Sequence, residues 1–366
     1  MDYETPQFFR VMQYANAATG DVIDMVSGNP DWQPPASLRD GLHDYADADP
    51  PEFQYPASEG LAPLREEIAA RRGVPVDQVV VTCGAGEANH LAMTEGLAQH
   101  SGNEVILADP VYPYYAGRTN LLGGEAQYVP VDDAGRLDPE AVRAVASEDT
   151  ALIVVNSPNN PTGAVYPGDT IRELVAIAEE HDALLVSDEV YDHFDYTGEF
   201  ESALSVESEH RVVTNSFSKS MAITGFRVGY GIYPDRLVDR VRTRHMLTNL
   251  TVSRPAQQAV YRALRETPPD YYAENRRHLE ARIDAFTTAL DAAGAEYSMP
   301  EGGFYVMARF EGFPGTMANV ERLIDEAGVA GMPGEAFGER RADWFRFALV
   351  TPRAEEAAER LADYFA

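Results

Sequence analysis

Lys219 is the sole lysine of the chain, so every other basic side chain is an arginine or a histidine. An ε-amine can lose its proton and attack a carbonyl, whereas a guanidinium stays protonated and does not readily form an imine. A single lysine kept within Ser216-Phe217-Ser218-Lys219 therefore points to a nucleophile, with a surviving surface lysine as the alternative. Asp188 follows the apolar run 183–187 and stands at the mouth of a buried strand, where a carboxylate needs a cationic or hydrogen-bonding partner. With Glu189, His181 and His193 nearby, it reads as an acid pair, as metal ligands, or as a neighbour of plain surface residues. Gly84-Ala85-Gly86 opens a helix, and free amides there suit a phosphate. The third glycine of a dinucleotide fingerprint is missing, and a tight turn is the alternative. Asn159-Asn160-Pro161-Thr162-Gly163 is a turn after a core strand, which makes Asn160 a candidate ligand contact. Arg227 suits a phosphate through its planar fork, or a salt bridge.

These clusters need a scaffold that gathers them. Strands are predicted at 79–82, 105–108, 151–156, 183–187, 212–215 and 228–232, with helices such as 61–72, 87–100 and 171–180 between several of them. Apolar runs separated by helices indicate an α/β fold whose mostly parallel sheet is covered by helices on both faces. Ligands bind beyond the carboxyl ends of such strands, and the polar clusters at 83–86, 109–110, 156–163, 188–191 and 216–219 each follow one. Residues 1–35 read as a helix-poor arm ending in the turn-forming run Ser27 to Trp32. Residues 236–265 read as helical, and Pro268-Pro269 as a break. A helix at 271–293, strands at 303–310 and 344–350, a helix at 318–327 and a last helix then compose a smaller α/β domain. The organisation expected is a large domain over 36–245 and a small domain formed by 1–35 and 246–366.

At 366 residues the chain exceeds one typical core. Its 59 acidic residues against 29 lysines and arginines give a formal charge of -30, which argues against nucleic acid and anionic membranes as partners. An acidic surface poor in lysine suits high salt, where self-repulsion is screened. Cys83 is the only cysteine, which excludes an intrachain disulfide and a cysteine-rich zinc site; no metal is expected. Residues 1–20 lack a signal-peptide core, and no stretch reaches transmembrane length, so a soluble cytoplasmic protein is expected.

Ser216-x-Ser218-Lys219 followed by Gly225-Phe226-Arg227-x-Gly229 resembles the cofactor-lysine motif of the class I and II aminotransferases, which have the aspartate aminotransferase fold, fold type I. Asn160-Pro161-Thr162-Gly163 and Asp188-Glu189-Val190-Tyr191 match two further motifs of that family. Ser27 to Asp31, Tyr55 to Arg65, Pro333 to Gly338 and Arg346 to Leu349 resemble its terminal segments, so the similarity runs in order over nearly the whole chain.

The resemblance implies pyridoxal 5'-phosphate as cofactor and a ping-pong transfer of an amino group from an L-amino acid to a 2-oxo acid. Lys219 would hold the cofactor aldehyde and then act as general base and acid, which requires a neutral amine for part of the cycle. Asp188 would pair with the pyridine nitrogen, Tyr191 and Asn160 would contact the ring hydroxyl, and Tyr112 would stack on the ring. The phosphate would take Ser216, Arg227 and the amides of Gly84, Ala85 and Gly86, with Tyr55 reaching it from the neighbouring subunit of a homodimer. Arg346 would clamp the substrate α-carboxylate, helped by the amide of Gly28 and by Asn160. One departure stands out: many relatives carry a hydroxyl or amide side chain where this chain has Gly86, which leaves more of the phosphate to Arg227 and the backbone.

The same fold also serves β-eliminating lyases and amino-acid decarboxylases, and a non-catalytic sensor is a further alternative. Arg346 favours transamination over loss of CO2, because a clamped carboxylate directs cleavage to the C–H bond. Aspartate with 2-oxoglutarate is the first expectation for substrates, on family frequency. Arg10, Arg118 and Arg254 are open candidates for a second carboxylate.

Overall fold

The uninterrupted apolar strands pair into one seven-stranded sheet in the computed structural model of the protein, which describes residues 6–366. The strand order is Val79–Thr82, Gly229–Ile232, Arg211–Ser216, Leu184–Asp188, Thr150–Asn156, Glu104–Asp109 and Glu125–Pro130. Six strands share one direction, and Gly229–Ile232 runs antiparallel to both of its neighbours. Alternation explains why both faces are apolar. In the fully buried strand Thr150–Asn156, Ile153 and Val155 enter one core while Leu152 and Val154 enter the other. Each such side chain contributes about 1.5–3 kcal/mol when it leaves water. The register sets Asn156 opposite Asp188 and Asp188 opposite Thr214, so the carboxyl ends of the central strands lie side by side.

A second, antiparallel sheet orders Met332–Pro333, Phe345–Ala348, Tyr305–Arg309 and Glu296–Ser298. The long helix Pro269–Ala292 and the last helix, Ala354–Phe365, cover it, with Phe286, Phe310, Phe345, Phe347 and Leu361 in its core. The pairing of Met307 with Arg346 places that arginine in the middle of this small sheet.

Two expectations need correction. The amino-terminal arm is not helix-poor: Gln7–Ala17 is a helix whose Val11 is buried in the small core, and Ile23–Asp24 pairs with Val329–Ala330. Residues 1–5 of the expected arm lie outside the described residues. The stretch 236–265 is two helices, Asp235–Asn249 and Arg254–Glu266, separated at Leu250, whose φ is 65°. The second of these belongs to the large core, beyond the expected limit at 245. It packs against Ala36–Ala46, with Ala256, Ala259, Val260 and Ala263 buried there. Gly41 permits the close approach, since a Cβ on it would stand 2.8 Å from the Ala259 Cα. No described helix is long and apolar enough to cross a membrane.

Candidate active site

Beyond the carboxyl ends of the large sheet lies a cavity of about 530 Å³, closed on the far side by the small sheet and the amino-terminal segment. Lys219 reaches it from the short helix Phe217–Ser220, which starts where the strand Arg211–Ser216 ends; the Ser216 hydroxyl caps that helix by accepting from the Ser218 amide. The lysine Nζ donates to the Gly28 carbonyl at 2.5 Å. Burial first, and then the Arg346 and Arg227 charges, lower its pKa to about 8 against the opposing pull of Asp188. A free amine is therefore accessible near neutral pH.

Asp188 ends the adjacent strand. Its Oδ2 accepts from Asn89 Nδ2 and from the Tyr115 hydroxyl, both at 2.6 Å, while Oδ1 has only the Val190 amide at 3.3 Å. Thr214 donates to Asn89 Oδ1 and fixes which way that amide faces. Burial raises the Asp188 pKa and these donors oppose the rise, so the carboxylate faces the cavity with an under-used oxygen. Asn156 ties the neighbouring strand end in: its Nδ2 donates to the Asp188 carbonyl and its Oδ1 accepts from the Asn160 amide, both at 2.8 Å. Tyr191 lies 3.0 Å from Tyr305, hydroxyl to hydroxyl, and burial pushes its pKa well up.

Arg346 faces the cavity from the small sheet. It is 4% exposed. Nη1 donates to Asn160 Oδ1 at 3.1 Å and Nη2 to the Val26 carbonyl, while Nε is buried with no partner among the described residues. The guanidinium lies over the Tyr305 ring, 4.4 Å from its centroid, and near Phe337. Among the described residues no carboxylate pairs with it, and burial lowers its pKa. Gly28 is needed beside it because a Cβ there would collide with the Tyr305 hydroxyl. The Gly28 carbonyl accepts from Lys219.

At the opposite end the helix Gly84–Gln99 begins, with Ala85 and Gly86 lining the cavity. Gly84 has φ 70° and sits behind them under Arg227, where a Cβ would strike the guanidinium. Arg227 donates to the carbonyls of Thr224 at 2.9 Å and Cys83 at 3.2 Å, and its own φ of 56° is uncommon outside glycine. Ser216 lines the same end, and Tyr112 enters as the residue that starts the helix Pro113–Leu121. Tyr55 is not gathered here: it is 79% exposed and does not line the cavity within one chain. Arg10 and Arg254 do not line it either, and Arg254 pairs with Glu52. The metal alternative for Asp188 and Glu189 has no support, because no metal-holding cluster occurs among the described residues. Glu189 is instead fully buried against Ser202, the Ala203 amide and Arg72.

Sequence reasoning missed Tyr305, Tyr115, Asn89 and Asn156, which hold the functional groups in place. Asn156 stands at a strand end, a signal that was available; Asn89 and Tyr115 lie inside helices and gave none.

A large sheet whose strand ends present a lysine and a carboxylate, faced by a smaller sheet carrying a buried arginine, defines a class of enzyme. The family described as aminotransferase class I and II matches residues 20–364, and the chain belongs to it: it is a pyridoxal-phosphate-dependent aminotransferase of fold type I. The aspartate aminotransferase of Thermotoga maritima is 34% identical, over 94% of this chain and 91% of that protein. The aspartate/prephenate aminotransferase of Thermus thermophilus is 32% identical, over 93% of this chain and 90% of its own length. The solved structure of the Thermus thermophilus aspartate aminotransferase with maleate is similar with a TM-score of 0.91 at 30% identity, covering 98% of this chain and 97% of that one.

The donor set fits the cofactor. Lys219 offers an amine that loses its proton near pH 8, Asp188 an oxygen with room for a ring N–H, and the start of Gly84–Gln99 a helix terminus whose Ala85 and Gly86 line the cavity, with Arg227 packed on the bare Gly84 behind them.

Proposed function

We propose that the enzyme moves the amino group of aspartate to 2-oxoglutarate, working as a homodimer in the cytoplasm. The observation that carries the reading of a carboxylate-bearing substrate is Arg346. A guanidinium so buried, with an Nε that has no partner and no carboxylate paired with it among the described residues, is costly until an anion arrives, and a carboxylate answers it with two parallel hydrogen bonds. Two of the relatives above are named for aspartate, and the solved neighbour carries maleate, a dicarboxylate.

In this reading Arg346 and Asn160 hold the α-carboxylate, and Lys219 moves the proton at the substrate α-carbon. When bound, pyridoxal phosphate supplies the electron sink for negative charge at that carbon. Asp188 holds a proton at the ring nitrogen, supported by Asn89 and Tyr115. Tyr191 and Asn160 address the ring hydroxyl, and Tyr112 packs on the ring face. Ser216, Arg227 and the amides of Gly84, Ala85 and Gly86 take the phosphate.

Tyr55 reaches the phosphate from a second copy. Phe53 and Tyr55 are exposed beside the equally exposed Leu247 and Leu250, and the two segments are joined by Arg254 to the Gln54 carbonyl and Thr251 to the Ala57 carbonyl. An apolar patch of this kind suits a dimer contact. The lone thiol of Cys83 suits a reducing compartment, and the charge of -30 a salty one.

The test is a product assay. Holoenzyme given aspartate should form oxaloacetate only when 2-oxoglutarate is present, with glutamate in equal amount. Steady ammonia release without an acceptor would assign a β-eliminating lyase instead, and CO2 release a decarboxylase.

A further inference from the structure

The cavity holds a third arginine, and among the described residues no carboxylate pairs with it. Arg118 lies on the helix Pro113–Leu121 and lines the cavity. Among the described residues its guanidinium forms neither an ion pair nor a hydrogen bond. Its Nη2 stands 3.1 Å from the point a Cβ would occupy on Gly86. Arg227 fills the corresponding place over Gly84. The first turn of Gly84–Gln99 thus has one guanidinium over its first residue and another over its third, arriving from different elements and each above a bare glycine. His90, one turn further along that helix, has its pKa lowered by burial and next by the Arg118 charge.

We propose that Arg118 is a second guanidinium ligand of the cofactor phosphate, supplying from a neighbouring helix the donor that a side chain at position 86 would otherwise provide. This rests on the reading of the cavity as the pyridoxal-phosphate site. A phosphate carries about −1.5 to −2 charges near neutral pH, and a helix start answers only about half a charge. Arg227 and Arg118 together bring the balance close to neutral. Glycine at 86 is the condition for it, because any side chain there would press on the guanidinium.

The test titrates the full-length apoprotein with pyridoxal phosphate and, in parallel, with pyridoxal, which has the same ring and aldehyde but no phosphate. Arg118→Ala should weaken pyridoxal phosphate binding by about tenfold or more, the loss of one charge-assisted contact, and leave pyridoxal binding within about twofold. Arg118→Lys should recover part of the loss. Since Arg118 bonds to no described protein group, the variants should fold; should Arg118→Ala fail to, Arg118→Gln and Arg118→Lys carry the same comparison. Equal losses for both ligands, or none for either, would overturn the proposal. So would unchanged cofactor binding with a raised KM for dicarboxylic substrates alone, which would put Arg118 on the substrate's second carboxylate. Failure of borohydride to fix the cofactor on Lys219 would sink the reading of the site itself, and is separate from all of these.

Discussion

Arg227 and Arg346 approach Lys219 from opposite ends of one cavity and are held in opposite ways. Arg227 belongs to the large domain, is exposed, and is fixed by two backbone carbonyls. Arg346 is buried in the small sheet, between two aromatic rings, and bonds to groups from three parts of the chain: Asn160 of the large domain, Val26 of the amino-terminal segment, and the face of its own neighbour Tyr305. A ligand that stays can be held by a local loop. One that enters and leaves at each turnover meets a site assembled from distant segments, so its binding depends on how they are seated together.

The largest effect should come from removing the amine between the two ends. Lys219→Ala should lower kcat by about 10⁴-fold or more, and borohydride treatment of the wild-type holoenzyme should fix cofactor on Lys219 and on no other side chain, read by peptide mass mapping. Arg346→Met should come next, lowering kcat/KM for aspartate by about 30- to 3000-fold while cofactor affinity stays near wild type. An equal loss of cofactor affinity would erase the distinction drawn above. Arg227→Met should do the reverse, weakening pyridoxal phosphate by about tenfold to a hundredfold with KM little changed at saturating cofactor.

Tyr305→Phe should cost only a few-fold in kcat, since it strips Tyr191 of a hydrogen-bond partner worth about 0.5–1.5 kcal/mol and keeps the ring under Arg346. The smallest effect is a shift in pH. In the apoprotein, acylation of Lys219 should rise with pH around a midpoint of about 8 as the amine loses its proton. Arg346→Met removes a positive charge that disfavours the protonated form, so the midpoint should move up; a midpoint that stays put would show that Arg346 does not act on the amine.

The large domain was legible because its strands are continuous apolar runs and its functional residues follow them directly. Lys219, Asp188 and Asn160 could be placed at strand ends from pattern alone. Arg346 could not. It sits in a strand of a different sheet, and only the family resemblance linked it to Lys219. The edge strand Glu125–Pro130 went unseen because its burial is mostly partial, and solvent on one side blurs the apolar signal. The amino-terminal helix was missed although Phe8, Val11, Met12 and Ala15 lie at helical spacing; its polar residues and its short length before Gly20 obscured the pattern. The boundary at 245 failed for a different reason. Arg254–Glu266 and Ala36–Ala46 approach closely at Ala256, Ala259, Ala263 and Gly41, with Leu38, Val260 and Leu264 buried in the same core, a sparser apolar signal than the continuous runs of the sheet.

The register of the central strands has a consequence for how this site can change. Asn156 faces Asp188 and Asp188 faces Thr214 across paired strands, and in a strand each added residue turns all that follow to the other face. One residue inserted within Leu184–Asp188 would point the carboxylate into the packed layer behind the sheet. Substitution at these addresses can alter the chemistry, but the addresses cannot slide. Length variation in descendants of this chain should therefore gather in turns such as 132–135, and the spacing within each central strand should be the part of the protein that time leaves alone.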